Sequence, residues 1–405
     1  MKTDSIDKQA LYLYLSYRHV PTPMSIRVKE RRAHQSICPP RFSQKCSASP
    51  AEIIDTMDYL LWGIISQVIR DMPQVAVLLS GGVDSGIVTA IASKVSRRPV
   101  QTFCLTYTEE TPGTRMDREY ARLISEIYET KHTEFPIDYR EFPPALEICL
   151  REMRQPFSGY ITPWFIGRAL SGKVASVLTG DWGDELFGSY KAHRLAAERP
   201  EESIAQLRYE TLVFSDEEKE KLLTPKALVG VTVSTLQHLA GYGHSALEAY
   251  DIVNQMLEAE FRSFYPDHTY LAFATFTRMW RLSTIAPMSF PSFADYAASI
   301  PGDQKIRDGE SKYILRVLAE RYLPKEIANR PKQGFTTPTM ALCLALEKWI
   351  RETLAPEQLR FHGLFNEEYV EALVSNFFQK PTEPESYKVW NLVCFQTFFE
   401  KCDIG

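Results

Sequence analysis

Residues 53–70 place apolar side chains at steps of three and four, which predicts an amphipathic helix. Ser49 lies just upstream as a candidate helix cap, and Asp71-Met72-Pro73 is expected to end the helix. The same periodicity predicts helices over 86–95 and 117–129. The apolar positions of the first helix are Ile53, Ile54, Met57, Leu60, Leu61, Ile64, Ile65, Val68 and Ile69.

Three apolar runs of strand length, at residues 75–79, 100–106 and 174–178, are separated by segments with helical periodicity. This alternation is typical of a parallel sheet with helices on both faces. After about residue 195 the strand signals fade, so we predict an α/β fold followed by a mostly helical C-terminal part. The later predicted helices cover 202–223, 245–262, 310–321, 340–354 and 366–378.

The chain of 405 residues is long enough for two domains, or for one large domain with appendages. We expect an N-terminal strap or linker over 1–52, an α/β core over 53–200 and a helical part over 201–405 that completes the acceptor site. Hydrophobic residues make up 44% and charged residues 24%, as in an ordinary globular protein.

Charge and cysteine usage narrow the cellular setting. The net charge is −5 and no long Lys/Arg block occurs, which argues against a nucleic-acid partner. Seven cysteines without a CxxC pair indicate free thiols in a reducing compartment. The start lacks the order of a signal peptide and no apolar run approaches ~18 residues, so we expect a cytoplasmic protein without a membrane partner.

A glycine-rich segment, Ser80-Gly81-Gly82-Val83-Asp84-Ser85, joins the first apolar run to the next helix. Backbone N–H groups and a helix N-terminus would converge there, which favours phosphate binding. Asp84 would repel phosphate unless a bound Mg²⁺ takes oxygens from both. This is not the Walker loop, because no lysine follows the glycines. A plain connecting turn is the alternative, and it would leave the framing Ser and Asp residues unexplained.

A second cluster, Thr179-Gly180-Asp181-Trp182-Gly183-Asp184-Glu185-Leu186-Phe187-Gly188-Ser189-Tyr190, follows the run at 174–178. Its three carboxylates within five residues would repel one another unless a cation or an amine gathers them. A solvated acidic turn is the alternative, and the apolar pair Leu186-Phe187 argues against it.

These motifs resemble those of a known family. The loop at 80–85 resembles the signature of ATP-pyrophosphatases, a superfamily of the adenine nucleotide alpha-hydrolase-like fold whose members include several synthetases and tRNA-modifying enzymes. The cluster at 179–190 resembles the SGEGxDExFGGY motif of the asparagine synthetase family, whose relatives include β-lactam synthetases and lasso-peptide cyclases. Residues 302–338 are similar to the family's run ending in R-x-K-x-G-F, and the likeness covers roughly residues 8–402.

The resemblance implies a role for each matching residue. Asp84 and Asp184 would hold Mg²⁺ at the phosphates of ATP, and Lys332 would be the catalytic lysine, with Arg330 and Asp181 as further catalytic candidates. The residues that would cradle the diphosphate are Ser80, Gly81, Gly82 and Ser85; those that would border the nucleoside are Leu78, Leu105, Thr179 and Gly180; those assigned to the substrate pocket are Trp182, Glu185 and Tyr190.

The implied reaction joins a carboxylic acid to ammonia or an amine. ATP would convert the acid to an acyl-adenylate with release of diphosphate, and the nitrogen would then displace AMP to form an amide. Residue 2 is Lys where the family's glutaminase half begins with a catalytic cysteine. We therefore expect the nitrogen donor to be free ammonia, a separate glutaminase protein or an amine substrate.

Two departures from the family pattern bear on the acid. Asp181 and Trp182 stand where the family has Glu and Gly, and the uncharged stretch 283–290 stands where it has E-x-R-x-P-F-L-D. Burying the charges of aspartate without partners would be costly. We therefore expect a larger, less charged acid, in specialised metabolism, joined either to a second molecule or by ring closure.

Three other functions stay open at this point. The first is asparagine synthesis from ammonia or with a partner glutaminase. The second is a non-catalytic nucleotide-binding subunit, against which the intact Asp84, Asp184 and Lys332 argue. The third, tRNA thiolation or lysidine formation, predicts basic patches or cysteine pairs that the sequence does not display. The sequence does not fix the oligomeric state, and a homo-oligomer is open.

Overall fold

The computed structural model describes residues 5–28, 30–32, 37–241, 247–330 and 338–402. Five parallel strands form one sheet in the order β3-β2-β1-β4-β5. Their bounds are β1 Ala76–Leu78, β2 Gln101–Tyr107, β3 Lys131–Ile137, β4 Ser176–Leu178 and β5 Ser283–Ile285. A short antiparallel pair, β6 Ile306–Arg307 and β7 Glu310–Ser311, lies outside the sheet.

Helices make up most of the rest of the described chain. A π-helical turn spans Pro266–Tyr270, and short 3₁₀ turns span Tyr139–Glu141 and Pro287–Ser289. The α-helices are α1 Lys8–Tyr17, α2 Pro50–Asp71, α3 Val83–Val95, α4 Pro112–Ile127, α5 Phe142–Met153, α6 Thr162–Leu170, α7 Gly183–Phe187, α8 Lys191–Glu198, α9 Ile204–Tyr209, α10 Asp216–Leu222, α11 Pro225–Leu228, α12 Thr235–Gly241, α13 Ile252–Arg262, α14 Leu271–Arg278, α15 Pro291–Ser299, α16 Gly302–Lys305, α17 Tyr313–Ala319, α18 Lys325–Ala328, α19 Thr339–Ala345, α20 Glu347–Thr353, α21 Pro356–His362, α22 Glu367–Gln379 and α23 Glu383–Lys401.

The predicted helix over 53–70 is confirmed as α2, and its start is fixed by local hydrogen bonds. The backbone N–H of Glu52 donates to the hydroxyl of Ser49, and the Glu52 carboxylate accepts from the N–H of Ser49 at 2.8 Å. This reciprocal pair satisfies two backbone donors that a helix otherwise leaves unpaired at its first turn. Met57, Leu61 and Ile65 then face the core with no exposed area.

The three predicted strands are confirmed as β1, β2 and β4, and the α/β fold is confirmed with them. The mostly helical C-terminal part is confirmed, although the fading strand signals after about residue 195 did not reveal β5, which completes the sheet beside β4. β5, with the sequence Ser-Thr-Ile, lacks the apolar run by which β1 and β4 were predicted. β3 also escaped prediction: as an edge strand it alternates exposed polar residues and carries Pro136, both usual at sheet edges.

Two large apolar clusters enclose the sheet and its surroundings. One joins α1 and α5 to the C-terminal helices, and Asn391 of α23 donates to the carbonyl of Leu15 at 2.9 Å. The other joins α2, α3 and α7 to α15 and α17. Both clusters draw on residues before and after position 200, and the division of the chain at that position stays a prediction.

The cysteines form no disulfide bonds within the described residues. All seven cysteines are free thiols, as predicted, and five of them are buried. No helix within the described residues has the length and apolar character needed to span a bilayer.

Candidate active site

The glycine-rich loop leaves the carboxyl end of β1 and enters α3 at Val83. Its two serines hold it in shape, because the Ser80 and Ser85 hydroxyl oxygens lie 3.0 Å apart and the Ser80 N–H donates to the Ser85 hydroxyl at 3.2 Å. Gly82 is the N-cap of α3 and its own cap is not filled by a side chain. The N–H groups at this helix start are therefore suited to an external anion.

Three glycines in and near the loop allow an unusually close approach of backbone segments. Gly81 has a φ of +74°, and a Cβ atom there would lie 2.2 Å from the carbonyl oxygen of Asp117. A Cβ on Gly180 would lie 2.7 Å from the N atom of Ser85, and one on Gly183 would lie 2.5 Å from Cγ of Asp84. The phosphate loop and the acidic segment are thus packed against each other with no room for a methyl group.

The acidic segment follows β4, and hydrogen bonds of Thr179 fix its first residues. The Thr179 N–H donates to the carbonyl of Ile285 in β5 at 2.9 Å, and its hydroxyl donates to the Asp181 carboxylate at 2.8 Å. Burial raises the pKa of Asp181 to about 6, although the hydrogen bond from Thr179 works in the opposite direction. Asp181 therefore titrates close to neutral pH, within the range useful for proton transfer.

Lys312 is the cation that gathers the carboxylates. Its Nζ atom lies 2.5 Å from Oδ2 of Asp84 and 2.5 Å from Oδ1 of Asp184, and its side chain is 5% exposed. Burial alone would lower the pKa of Lys312, but the charges of Asp184 and Asp84 outweigh burial and raise the pKa. The ammonium is therefore held charged between the two predicted metal ligands.

Sequence reasoning missed Lys312. It lies inside the resembling run 302–338, but catalytic roles were assigned only to Lys332 and Arg330 of that run. Lys312 itself precedes α17 in a left-handed conformation, with a φ of 59°, which turns it away from the regular pattern of that helix. The available signal was the excess of carboxylates at 84 and 181–185, which required a cation from elsewhere in the chain.

Glu185 and Tyr190 form a buried pair beside the acidic segment. The Tyr190 hydroxyl donates to Oε1 of Glu185 at 2.6 Å. Burial, together with the neighbouring charge of Asp184, raises the pKa of Glu185 to about 8, although the Tyr190 hydrogen bond works in the opposite direction. Glu185 therefore holds a proton near neutral pH unless a cationic group comes next to it.

Trp182 occupies a backbone position that suits glycine. Its φ is +75° and its ψ is −11°, in the left-handed region that bulky residues rarely adopt. Packing holds it there, because the centroid of its ring lies 4.7 Å from that of the Phe261 ring and 5.9 Å from that of the Tyr265 ring. The resembling family has glycine at this position, and here an indole covers the wall of the cavity instead.

A single cavity brings most of the predicted residues together at the carboxyl ends of β1, β2 and β4. Its lining has aromatic and aliphatic walls with four carboxylates and, among the described residues, no lysine or arginine. The predicted residues that line it are Leu78, Ser80, Asp84, Ser85, Leu105, Thr179, Gly180, Asp181, Trp182, Asp184, Glu185 and Tyr190. The other lining residues are Leu79, Phe103, Phe135, Tyr160, Ile166, Leu170, Thr269 and Phe273.

Gly81, Gly82 and Arg330 do not line this cavity. The two glycines shape the loop, and the guanidinium of Arg330 pairs with Asp117 at 2.5 Å behind it. Burial raises the pKa of Asp117 to about 6, while Arg330 works to lower it. Lys332 lies outside the described residues, so its catalytic role stays a prediction.

Asp84 and Asp184 are the residues that could hold a metal ion. Oδ1 of Asp84 is buried without a partner among the described residues, and both carboxylates converge on one ammonium. Hard oxygen donors of this kind suit Mg²⁺. Within the described part of the chain, no cluster of three or more His, Cys, Asp or Glu side chains could hold a metal by itself. The two aspartates would therefore share the ion with oxygens of a bound phosphate.

A parallel α/β sheet, a glycine-rich loop after β1 and an acidic loop across from it are features of a nucleotide-dependent enzyme. The sequence model of the asparagine synthase family matches residues 59–400, and the chain belongs to that family.

Three individual proteins that this chain is similar to are asparagine synthetases. A glutamine-hydrolyzing asparagine synthetase 1 of Bacillus subtilis is 23% identical over 96% of this chain and 68% of its own length. A second Bacillus subtilis protein, asparagine synthetase 3, is 24% identical over 80% of this chain and 54% of its length. An asparagine synthetase of Zea mays is 31% identical over 38% of this chain and 27% of its length. The chain thus spans only part of each relative.

Proposed function

We propose that this protein is an AMP-forming amide ligase that adenylates a carboxylic acid with ATP and transfers the acyl group to ammonia or an amine. Membership of the asparagine synthase family implies an ATP-dependent carbon–nitrogen ligase. The observation that carries the proposal is the bridge from Lys312 to Asp84 and Asp184, because it joins the glycine-rich loop to the acidic loop, and both aspartates line the same cavity.

In the first step an oxygen of the acid attacks the α-phosphorus of ATP, and the bond to the β-phosphate breaks. Ser80 and Ser85, with the start of α3, would bind the departing diphosphate, which the unfilled cap of α3 supports. Lys312 supplies a fixed positive charge beside them, where charge accumulates in the transition state. Mg²⁺, held by Asp84 and Asp184, would add charge neutralisation at the phosphates.

In the second step the nitrogen attacks the acyl carbon, AMP leaves with the former carboxylate oxygen, and the nitrogen loses a proton. Asp181 is the candidate acceptor of that proton, because it lines the cavity and has a pKa of about 6. Lys332 is the candidate that stabilises the tetrahedral intermediate.

The lining of the cavity supports an acid larger and less charged than aspartate. Tyr160, Trp182 and Phe273 provide aromatic surface, and no described lining residue offers a cation to a second carboxylate. A second carboxylate without a cationic partner would be poorly solvated in this lining. Asparagine synthesis is the second candidate, favoured by the names of the two Bacillus subtilis relatives, both asparagine synthetases.

The test is a diphosphate-release screen. The chain is incubated with ATP and Mg²⁺ and with single amino acids, aryl acids or aliphatic acids, with ammonium as the nitrogen donor. We expect release of AMP and diphosphate, with aryl or large apolar acids more effective than aspartate. Release of ADP and phosphate instead, or no nucleotide turnover with any acid, would reject the proposed reaction.

Two further measurements separate the alternatives. Aspartate as the best substrate, with asparagine identified by mass spectrometry, would establish the second candidate. A Lys332→Ala variant is expected to lose at least about 100-fold in diphosphate release, because its ammonium acts on transition-state charge. The matched control is Lys348→Ala, because the Lys348 side chain is 91% exposed and lies outside the candidate site.

A further inference from the structure

The sheet carries a second large concavity at the end opposite the candidate active site. Two adjoining cavities, the larger of about 1240 Å³, share Val75, Arg98 and Gln101 in their linings and form one groove. We call it the amino-edge groove, because it runs past the start of every strand. The residues at these strand starts are Val75 before β1, Gln101 in β2, Lys131 in β3, Ser176 in β4 and Arg281 before β5.

The amino-edge groove is strongly basic. Six exposed cationic side chains line it, and no carboxylate occurs among its described lining residues. The six are Arg70, Arg97, Arg98, Lys131, Lys173 and Arg281. None of them forms an ion pair with a described residue, whereas Arg118, Arg122 and Arg199 elsewhere on the surface each bind a carboxylate. Positive charge is therefore concentrated here without internal compensation.

This concentration stands against the charge of the whole molecule. The net charge is −5, and the lining of the cavity at the other end of the same strands includes four carboxyl groups, two of which Lys312 neutralises. Like charges gathered on one surface repel one another, and an anionic partner relieves that repulsion. The amino-edge groove is therefore a separate basic surface on a chain of net negative charge.

The dimensions and the floor of the groove suit an extended polypeptide. Neighbouring strands lie about 4.8 Å apart, so crossing all five strand starts takes roughly 19 Å, or about six extended residues. Met72, Val95 and Val174 give the groove apolar surface between the cations, and Met72 is 42% exposed. A peptide that alternates acidic and apolar side chains would meet both kinds of surface.

Nucleic acid fits these observations less well. Single strands bind through successive aromatic stacking platforms, and Trp280 is the one aromatic residue among the described lining. Its ring is already engaged, because it packs edge-on at 5.4 Å against Trp164 and closes over Gly167 of α6.

We propose that the amino-edge groove binds an acidic, extended segment of a partner protein. The strands separate it from the candidate active site, since Gln101 faces the groove while Leu105 of the same strand lines the catalytic cavity. The occupant is therefore a docking partner and not the reacting acid or amine. This inference does not depend on the reaction proposed above.

The probe is a fluorescein-labelled decapeptide of alternating glutamate and leucine, measured by fluorescence anisotropy with the full chain. The groove variant is Arg97→Glu/Arg98→Glu/Arg281→Glu. The matched control is Lys226→Glu/Lys348→Glu/Lys380→Glu, which changes the net charge equally at exposed sites outside the groove. We expect the groove variant to weaken binding by at least about tenfold and the control by less than about twofold. Thermal melting of both variants checks that they are folded.

Four results would overturn the proposal. The first is that both variants weaken binding equally, and the second is that a peptide of alternating glutamine and leucine binds as tightly as the acidic peptide. The third is that the acidic peptide does not bind at concentrations up to about 1 mM at low salt. The fourth is a labelled 20-nucleotide RNA that binds the wild type more tightly than the acidic peptide and is lost in the groove variant. That last result would assign the groove to nucleic acid.

Discussion

Lys312 and Asp84 lie 228 residues apart in the chain, and their Nζ and Oδ2 atoms are 2.5 Å apart in the fold. The same ammonium reaches Asp184 at 2.5 Å, so one side chain joins the two loops that border the candidate active site. A buried cation that neutralises two carboxylates is both a structural element and a source of charge for the reaction.

Lys312→Met should abolish turnover and destabilise the fold. The substitution leaves two adjacent carboxylates without their cation, which we expect to lower the free energy of unfolding by about 3 kcal/mol. Diphosphate release should fall at least about 100-fold, since the fixed charge at the phosphates is lost. Lys312→Arg, which keeps the charge, should retain most of the stability.

Mg²⁺ should partly rescue Lys312→Met. A divalent ion can take oxygens from Asp84 and Asp184 once the ammonium is gone, so millimolar Mg²⁺ should raise the melting temperature of the variant more than that of the wild type. Differential scanning fluorimetry in the absence of nucleotide measures this directly. A variant whose melting temperature does not rise with Mg²⁺ would show that the two aspartates do not bind the ion.

Gly183→Ala should impair the site. A Cβ atom there would stand 2.5 Å from Cγ of Asp84, so the Asp84 side chain or the α7 backbone must move. We expect at least about a tenfold loss of diphosphate release, because misplacement of about 1 Å is enough for such an effect. The control is Gly63→Ala in α2, where nothing lies within 4 Å and stability should rise by about 0.5–1 kcal/mol.

Trp182→Gly should relieve the strain of the left-handed backbone but remove the packing of the indole ring. Glycine removes the cost of the left-handed conformation, about 1–2 kcal/mol, but the contacts with Phe261 and Tyr265 disappear. Deleting a buried tryptophan side chain costs about 3–5 kcal/mol, so a net loss of about 2 kcal/mol is expected in urea denaturation. A more stable variant would mean that strain at residue 182 exceeds its packing.

Glu185 should make stability depend on pH. Its pKa is raised from 4.5 to about 8 in the fold, so between these values the native state holds a proton that the unfolded chain has lost. The stabilisation is complete below the unfolded pKa and is lost as the pH rises through about 8, with a slope of at most about 1.4 kcal/mol per pH unit.

Glu185→Gln should remove that slope. Urea denaturation at about pH 5.5 and about pH 7.5 should show the wild type losing more stability than the variant over this interval. Glu126→Gln, at an exposed position of α4, should behave as the wild type does. Parallel curves for wild type and Glu185→Gln would mean that Glu185 is ionised in the native state.

Much of the site was predictable because its parts are local in sequence. The phosphate loop and the acidic segment each follow an apolar strand, and parallel strands bring their carboxyl ends to one edge of the sheet. Twelve of the residues predicted for the site accordingly line one cavity. Arg330 was predicted from the same motif, yet it pairs with Asp117 behind the loop.

The sequence by itself determined the α2 helix, three of the five strands in the sheet and the two loops that follow β1 and β4. Periodicity, capping residues and glycines act over a few neighbours, so they can be read from the chain. Only the tertiary structure decided the rest: Lys312 between its aspartates, Trp182 held left-handed by Phe261, and β5 beside β4. Each of these depends on residues far apart in the chain, whose contact is fixed by packing and charge in the folded molecule.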